Sequence, residues 1–316
     1  SSISVTNIQA KAINDFIFAN YCTNGIDLSK NHIEFISAKS FSHIVYLEKL
    51  YLASNWIESI DNLIDSLDVE TLTELDLSYN KIKKLSKKFT SYFINLNMLE
   101  LSYNEIDFIE DRLFENLKNL KELYLDNNKL KTIRNYTLYN LFKLDTIYLS
   151  YNSIAEIESD AFESLNNLTV FSLRYNNLEI VYSNFGQLTN LQTLILDSNN
   201  IKEIQPGAVY YVKRLELENN QLDSQFSFNE TKNLKELFLS YNPIVSLRIN
   251  AFIGIENLES LSLQQSKIEF IEIGAFKNFS LLIILNLSYN RLKTLQNGLF
   301  EGLESLKSLY IYYNII

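Results

Sequence analysis

Leu120-Lys-Glu-Leu123-Tyr-Leu125-Asp-Asn-Asn128-Lys-Leu130-Lys-Thr-Ile133 reads as L-x-x-L-x-L-x-x-N-x-L-x-x-I, and the same spacing returns along the chain. Its Asn slot falls at Asn31, Asn55, Asn80, Asn104, Asn128, Asn152, Asn176, Asn199, Asn220, Asn242, Ser266, Asn290 and Asn314, at intervals of 21 to 25 residues. Twelve of the thirteen slots hold Asn, which fixes the register. The L-x-L pair alternates with period two, so both leucines of a short strand share one face. Strands of successive repeats then stack about 4.8 Å apart into a parallel sheet. The Asn amide, with two donor hydrogens and an acceptor oxygen, is expected to satisfy backbone groups where the chain leaves the strand, in its own repeat and the next. Later apolar slots, such as Ile106, Ile109, Phe114 and Leu117, fill the space behind the sheet. No repeat buries its apolar face alone, so stability comes from neighbours and the array needs caps.

This period and apolar spacing are the signature of a leucine-rich repeat. Phe41, Phe114, Phe162, Phe252, Phe276 and Phe300 each lie ten residues after their slot. The pattern resembles the 24-residue typical repeat of animal extracellular leucine-rich-repeat proteins over residues 26–316. The resemblance implies an α/β-type solenoid, a horseshoe with a concave parallel sheet of about 13 strands and a convex side of loops, 3₁₀ turns and short helices. Residues 1–25 read as a degenerate leading repeat with Ile8 in the Asn slot, and 26–316 as one continuous domain without a C-terminal cap. Repeats eight to ten shorten to intervals of 23, 21 and 22, and repeat nine has Gln225 in an aliphatic slot and no Phe at spacing ten. With its Tyr- and Asn-rich repeats, this combination resembles insect Toll-type and leucine-rich-repeat immune proteins. The sequence stops in mid-repeat at Ile316, so Leu306, Leu309 and Ile311 are expected to stay open and to promote self-association.

A hydrophobic content of 47% excludes a disordered chain. The net charge of −10 disfavours nucleic acid and anionic membrane surfaces. The longest apolar run, Leu281 to Leu285, is too short to cross a bilayer, so no direct membrane insertion is expected. Ser1 opens no signal peptide, and an extracellular ectodomain or secreted protein is inferred. His32 and His43 stand apart from any acid cluster, and neither a phosphate-binding glycine loop nor H-E-x-x-H occurs. No catalysis, cofactor or metal is therefore expected. Cys22 is the single cysteine. It reads either as a small buried side chain or as a half-cystine with a partner outside these residues.

Binding in a solenoid favours the inner sheet face, whose residues lie six, four and two before each slot. Tyr51, Asp76, Glu100, Tyr124 and Tyr148 form the expected ligand-binding row, flanked by Glu74, Glu122 and Asp126. Asp197, Glu216, Glu218 and Glu236 form a second acidic patch. Exposed strands are commonly polar and Tyr-rich, so clustering alone marks these residues. Seven tyrosines immediately before slots, such as Tyr79 and Tyr289, read as turn residues rather than contacts. Candidate glycosylation sites are Asn135, Asn167, Asn229, Asn278 and, on the sheet face, Asn286. The expected function is an innate-immune receptor ectodomain or secreted immune factor, acting alone or as a homo- or heterodimer. It would bind a protein or microbial ligand of basic character. The alternatives are a cell-adhesion or developmental surface protein and an intracellular scaffold or enzyme regulator.

Overall fold

The computed structural model describes residues 2–15, 17–18, 21–41, 44, 46–61, 63, 71–228 and 231–316. His43 and Asn229 lie outside the described residues. The chain forms two compact units, Ser1–Leu168 and Thr169–Ile316. Each is a parallel-sheet solenoid in which every repeat contributes one three-residue strand.

In the first unit the strand sequence is Ser2–Ser4, Gly25–Asp27, Lys49–Tyr51, Glu74–Asp76, Met98–Glu100, Glu122–Tyr124 and Thr146–Tyr148. The register aligns Ile3, Ile26, Leu50, Leu75, Leu99, Leu123 and Ile147. The second unit runs Val170–Ser172, Thr193–Ile195, Arg214–Glu216, Glu236–Phe238, Ser260–Ser262, Ile284–Asn286 and Ser308–Tyr310. Here Phe171, Leu194, Leu215, Leu237, Leu261, Leu285 and Leu309 share a register. Fourteen such strands lie among the described residues, in line with the expected number, the degenerate leading repeat adding Ser2–Ser4 paired to Gly25–Asp27. Behind the sheet lie short two-stranded ladders such as Thr132–Ile133 with Glu156–Ile157, the helix Lys87–Tyr92 and the 3₁₀ turn Ser183–Gln187.

The central Leu, Ile or Phe of each interior strand is buried, as is the Phe behind the sheet at Phe41, Phe114, Phe162, Phe252 and Phe276. Repeat nine is not without its aromatic plug. Phe226 and Phe228 are buried while Gln225 is exposed, and the Phe226 ring lies 5.6 Å from Phe252. With fewer residues behind the strand, the aromatic sits closer to its slot. Cys22 is exposed, which corrects its reading as a buried side chain. The slot that Leu47, Leu72 and Leu96 fill in later repeats is taken by the adjacent Thr23, buried and donating its hydroxyl to the Gly25 carbonyl at 2.9 Å. In the last strand Leu309 is 36% exposed, whereas Leu285 before it is fully buried.

Within each unit a slot Asn ties its repeat to the preceding one, not the following one. Asn55 Nδ2 donates to the carbonyls of Leu28 (3.1 Å), Leu52 (3.0 Å) and Ala53 (3.3 Å), and Oδ1 accepts from Ile33 N–H at 3.0 Å. Asn128 repeats this with Leu101, Leu125, Asp126 and Ile106. The residue before the slot has a left-handed φ of 53° to 62° in all thirteen repeats, which turns the chain so that the amide folds inward. Ser266 has no second nitrogen and cannot span these groups. Its hydroxyl reaches the Leu239 carbonyl at 3.3 Å, and Ile244 N–H, which a slot Asn would otherwise receive, bends back to the Asn242 carbonyl at 2.9 Å. The backbone thus takes over the N–H that the slot amide serves in other repeats. Ser266 N–H joins Ile268 N–H on Asn290 Oδ1, at 3.0 and 2.9 Å.

Asn128→Ala strands buried backbone groups and is expected to destabilise by about 1–3 kcal/mol. Asn290→Ala removes an acceptor serving two N–H groups and should cost more. Ser266→Asn should stay within about 1 kcal/mol of the parent, because its rung is already satisfied. Denaturant midpoints check the order, and an Asn290→Ala midpoint above that of Asn128→Ala would refute the shared-acceptor account.

Candidate binding faces

The sheet pairing brings Tyr51, Asp76, Glu100, Tyr124 and Tyr148 into one row across five consecutive strands. Strand alternation buries the central leucine and turns the residues on either side to the opposite face. Tyr124 and Tyr148 stack with centroids 5.4 Å apart and planes 5° from parallel. Tyr124 Oη donates to Glu122 at 2.7 Å, and Tyr51 Oη donates to Glu74 at 2.8 Å. Glu74 also holds Lys49 at 2.8 Å. Burial raises the Glu74 carboxyl, but the Lys49 and Tyr51 bonds outweigh it and leave it below the usual range. Burial and then the Glu122 bond push the Tyr124 phenol up.

The acids of this face have a second task that their spacing did not disclose. Asp76 Oδ1 accepts Ser78 N–H at 2.9 Å, and Glu100 Oε1 accepts Ser102 N–H at 2.7 Å. Asp126 accepts Ser150 N–H from the next repeat. These carboxylates therefore hold the strand exits as well as face solvent. Burial raises both Glu100 and Asp126. The row supplies two parallel Tyr rings beside partly engaged acids, an arrangement suited to noncovalent contact.

In the second unit Asp197 is only 4% exposed. Its Oδ1 accepts Glu218 N–H at 2.9 Å and its Oδ2 lies 3.8 Å from Arg174 Nε. Arg214 bridges Glu216 (2.7 Å) and Glu236, and its guanidinium lies 4.4 Å from the Phe238 ring centroid. The four acids are thus interleaved with two arginines, a network rather than a bare acidic surface. Asp197 rises to about 7, through burial first and then the nearby Glu216 and Glu218 charges, against the Glu218 backbone bond.

Asn167 and Asn278 are exposed, Asn135 is half-buried and bonded to Asp160 N–H at 2.9 Å, and Asn286 is held on the sheet face by Gln264 and Ser288. His32 stacks on Trp56 at 4.4 Å, with Lys81 5.1 Å from the Trp56 ring centroid. Among the described residues no His, Cys, Asp and Glu side chains group as a metal site would require. No described helix is long and apolar enough to cross a membrane.

A family model described as leucine rich repeat matches residues 70–130, 94–154, 118–178, 142–201, 211–268 and 256–316. Tsukushi-A of Xenopus laevis is 38% identical over 88 residues, which is 27% of this chain and 24% of that protein. The TLR13 structure in complex with ssRNA13 is similar at a TM-score of 0.83 and 25% identity, covering 99% of this chain and 50% of that one. The octameric complex of Latrophilin 3, Unc5D and FLRT2, with FLRT2 as its leucine-rich-repeat part, gives 0.70 and 27% identity over 78% of this chain and 76% of the matched one. The chain thus spans about a quarter of the length of Tsukushi-A and half that of the TLR13 chain.

Asp197 binds its proton more tightly folded than unfolded. Its protonation contributes stability that is full below the unfolded value of 3.8 and is lost as pH rises through about 7. Asp197→Asn keeps the acceptor for Glu218 N–H and removes the charge. It is expected to exceed the parent in stability by about 1–3 kcal/mol at pH 8 and to match it below pH ~4. Thermal melts across that range check this; a difference that does not change with pH would rule out the charge as its cause.

Proposed function

Because the chain belongs to the leucine-rich-repeat family, we propose that it is a non-catalytic recognition module that binds a protein ligand outside the cell through the sheet face of its first unit. The observation that carries this reading is the in-register row Tyr51, Asp76, Glu100, Tyr124 and Tyr148. Tyrosines supply large contact area at small entropy cost. The Tyr124–Tyr148 stack is preformed, so less order is lost on binding. Glu74, Glu122 and Asp126 flank the row and favour a basic partner with a salt-sensitive association rate. The same charges oppose a polyanion, so the RNA of the TLR13 complex is not a guide to this face.

Within that reading the chain is the recognition part of an innate-immune receptor or secreted immune factor, of the Toll-type kind. The likeness to TLR13 over 99% of this chain supports it. The likeness to the Latrophilin 3–Unc5D–FLRT2 complex supports a second reading, cell-surface adhesion through the same face. Exposed sequons at Asn167 and Asn278 suit an extracellular setting.

The test screens the chain against secreted proteins and microbial surface components, then repeats any positive with two variants. Tyr124→Ala with Tyr148→Ala is expected to weaken binding by at least about tenfold, as loss of an aromatic anchor does. Asp76→Asn with Glu100→Gln keeps the Ser78 and Ser102 bonds and should flatten the salt dependence of the association rate. Unchanged affinity and unchanged salt dependence would move the ligand off this face.

A further inference from the structure

The residue before each Asn slot is left-handed in every repeat, and seven of these residues are tyrosine. A bulky side chain is strained there by about 1–2 kcal/mol. The same chain fills the position with Asn127, Ser198 and Asn219, so the fold does not need tyrosine. Nor does burial offset the strain, since the seven are 40% to 70% exposed. Four of them form stacked pairs instead, with Tyr79 on Tyr103 at 4.0 Å and Tyr289 on Tyr313 at 4.5 Å.

In the second unit this edge has a gap. Gln265 stands between Tyr241 and Tyr289, beside the rung where Ser266 replaces Asn. Ser266 N–H has turned to Asn290 Oδ1, and Lys267 is left-handed as well, with φ 64°. No other residue following a slot is left-handed among those described. The departure from the repeat opens a groove of about 450 Å³ lined by Tyr241, Gln265, Lys267, Tyr289, Arg291 and Tyr313. Arg291 rests loosely on Glu269 at 3.6 Å, and Lys267 has no carboxylate within ion-pair distance among the described residues.

We propose that this groove is a binding site for an acidic glycan, with a pyranose ring between Tyr241 and Tyr289, the Gln265 amide on its hydroxyls and Lys267 and Arg291 on its carboxylate or sulfate. Two strand steps separate the flanking tyrosines by roughly 9–10 Å. A flat base in van der Waals contact with both rings would need planes only about 7 Å apart. A puckered sugar ring is thicker and presents apolar C–H faces to the aromatics. The two cations make a basic spot on a chain of net charge −10, which selects for an anionic ligand.

Calorimetric titration with a hexasaccharide of alternating glucuronate and N-acetylglucosamine tests this, with N-acetylglucosamine hexasaccharide and a ten-nucleotide oligothymidine as comparisons. The acidic hexasaccharide is expected to bind more tightly than the neutral one. Gln265→Tyr fills the gap and Tyr289→Ser removes one wall, and each should weaken binding by about tenfold or more. Both fold, because the chain already carries Tyr and Ser at this position in other repeats, and melting temperatures verify it. Lys267→Ala with Arg291→Ala should erase the preference for the acidic sugar. Tyr124→Ala with Tyr148→Ala should leave sugar binding unchanged, which separates this site from the sheet face. Absence of saccharide binding, saccharide binding indifferent to Gln265→Tyr, or oligothymidine binding in preference to either sugar would overturn the proposal.

Discussion

The structure depends on how one buried amide satisfies four backbone groups at the point where the strand ends. A three-residue strand is too short to hold its own exit, and the leucines on either side are fully buried. Unpaired peptide groups there would each cost about 1–3 kcal/mol. The slot Asn removes that penalty and fastens its repeat to the one before. The left-handed residue preceding it is the geometric condition. The consequence is a nearest-neighbour architecture, in which each repeat is specified by contacts with adjacent ones. The Ser266 rung shows the limits of substitution. The hydroxyl leaves one N–H to its own backbone and another to Asn290, and the local chain path changes with it.

That constraint also shapes the two faces that meet solvent. Acids four before the slot are drawn into accepting the N–H two residues on, so Asp76 and Glu100 are partly structural. Exposed ion pairs, such as Lys129 with Glu105 just past the slots, contribute little to stability. The Tyr124–Tyr148 stack and the Arg214 bridge do more to fix side-chain positions, because each locks groups across adjacent strands. In sequence Arg214 stands two residues before Glu216, on the same strand face. The register adds Glu236, which it sets directly across from Arg214 on the next strand. Asp197 likewise looks in sequence like its neighbours, yet it lies beneath them, because its oxygen closes a backbone bond to the following repeat.

Behind the sheet, aromatic rings absorb differences in repeat length. In the second unit Phe252, Phe276 and Phe300 follow one another 6.2 and 6.3 Å apart. Where repeat nine is short, Phe226 reaches the same stack from a position nearer its slot. A spacing rule alone misses this, since it tests one offset and the core needs only a ring of the right volume in reach. Thr23 and Cys22 teach the same lesson. Counting eight back from Asn31 would have placed Thr23 in the leucine slot and Cys22 beside it, facing out.

By itself the sequence determined the repeat, the register, the parallel sheet, the buried leucines and which side chains share a row. Those follow from periodicity, because nearest-neighbour stacking maps linear spacing directly onto space. What only tertiary structure decided lies across repeats. It set the direction of the Asn bonds, the double duty of Asp76 and Glu100, the burial of Asp197 and the groove beside Ser266. Each of these depends on where a backbone N–H from another repeat points, and that direction depends on the fold of both repeats at once.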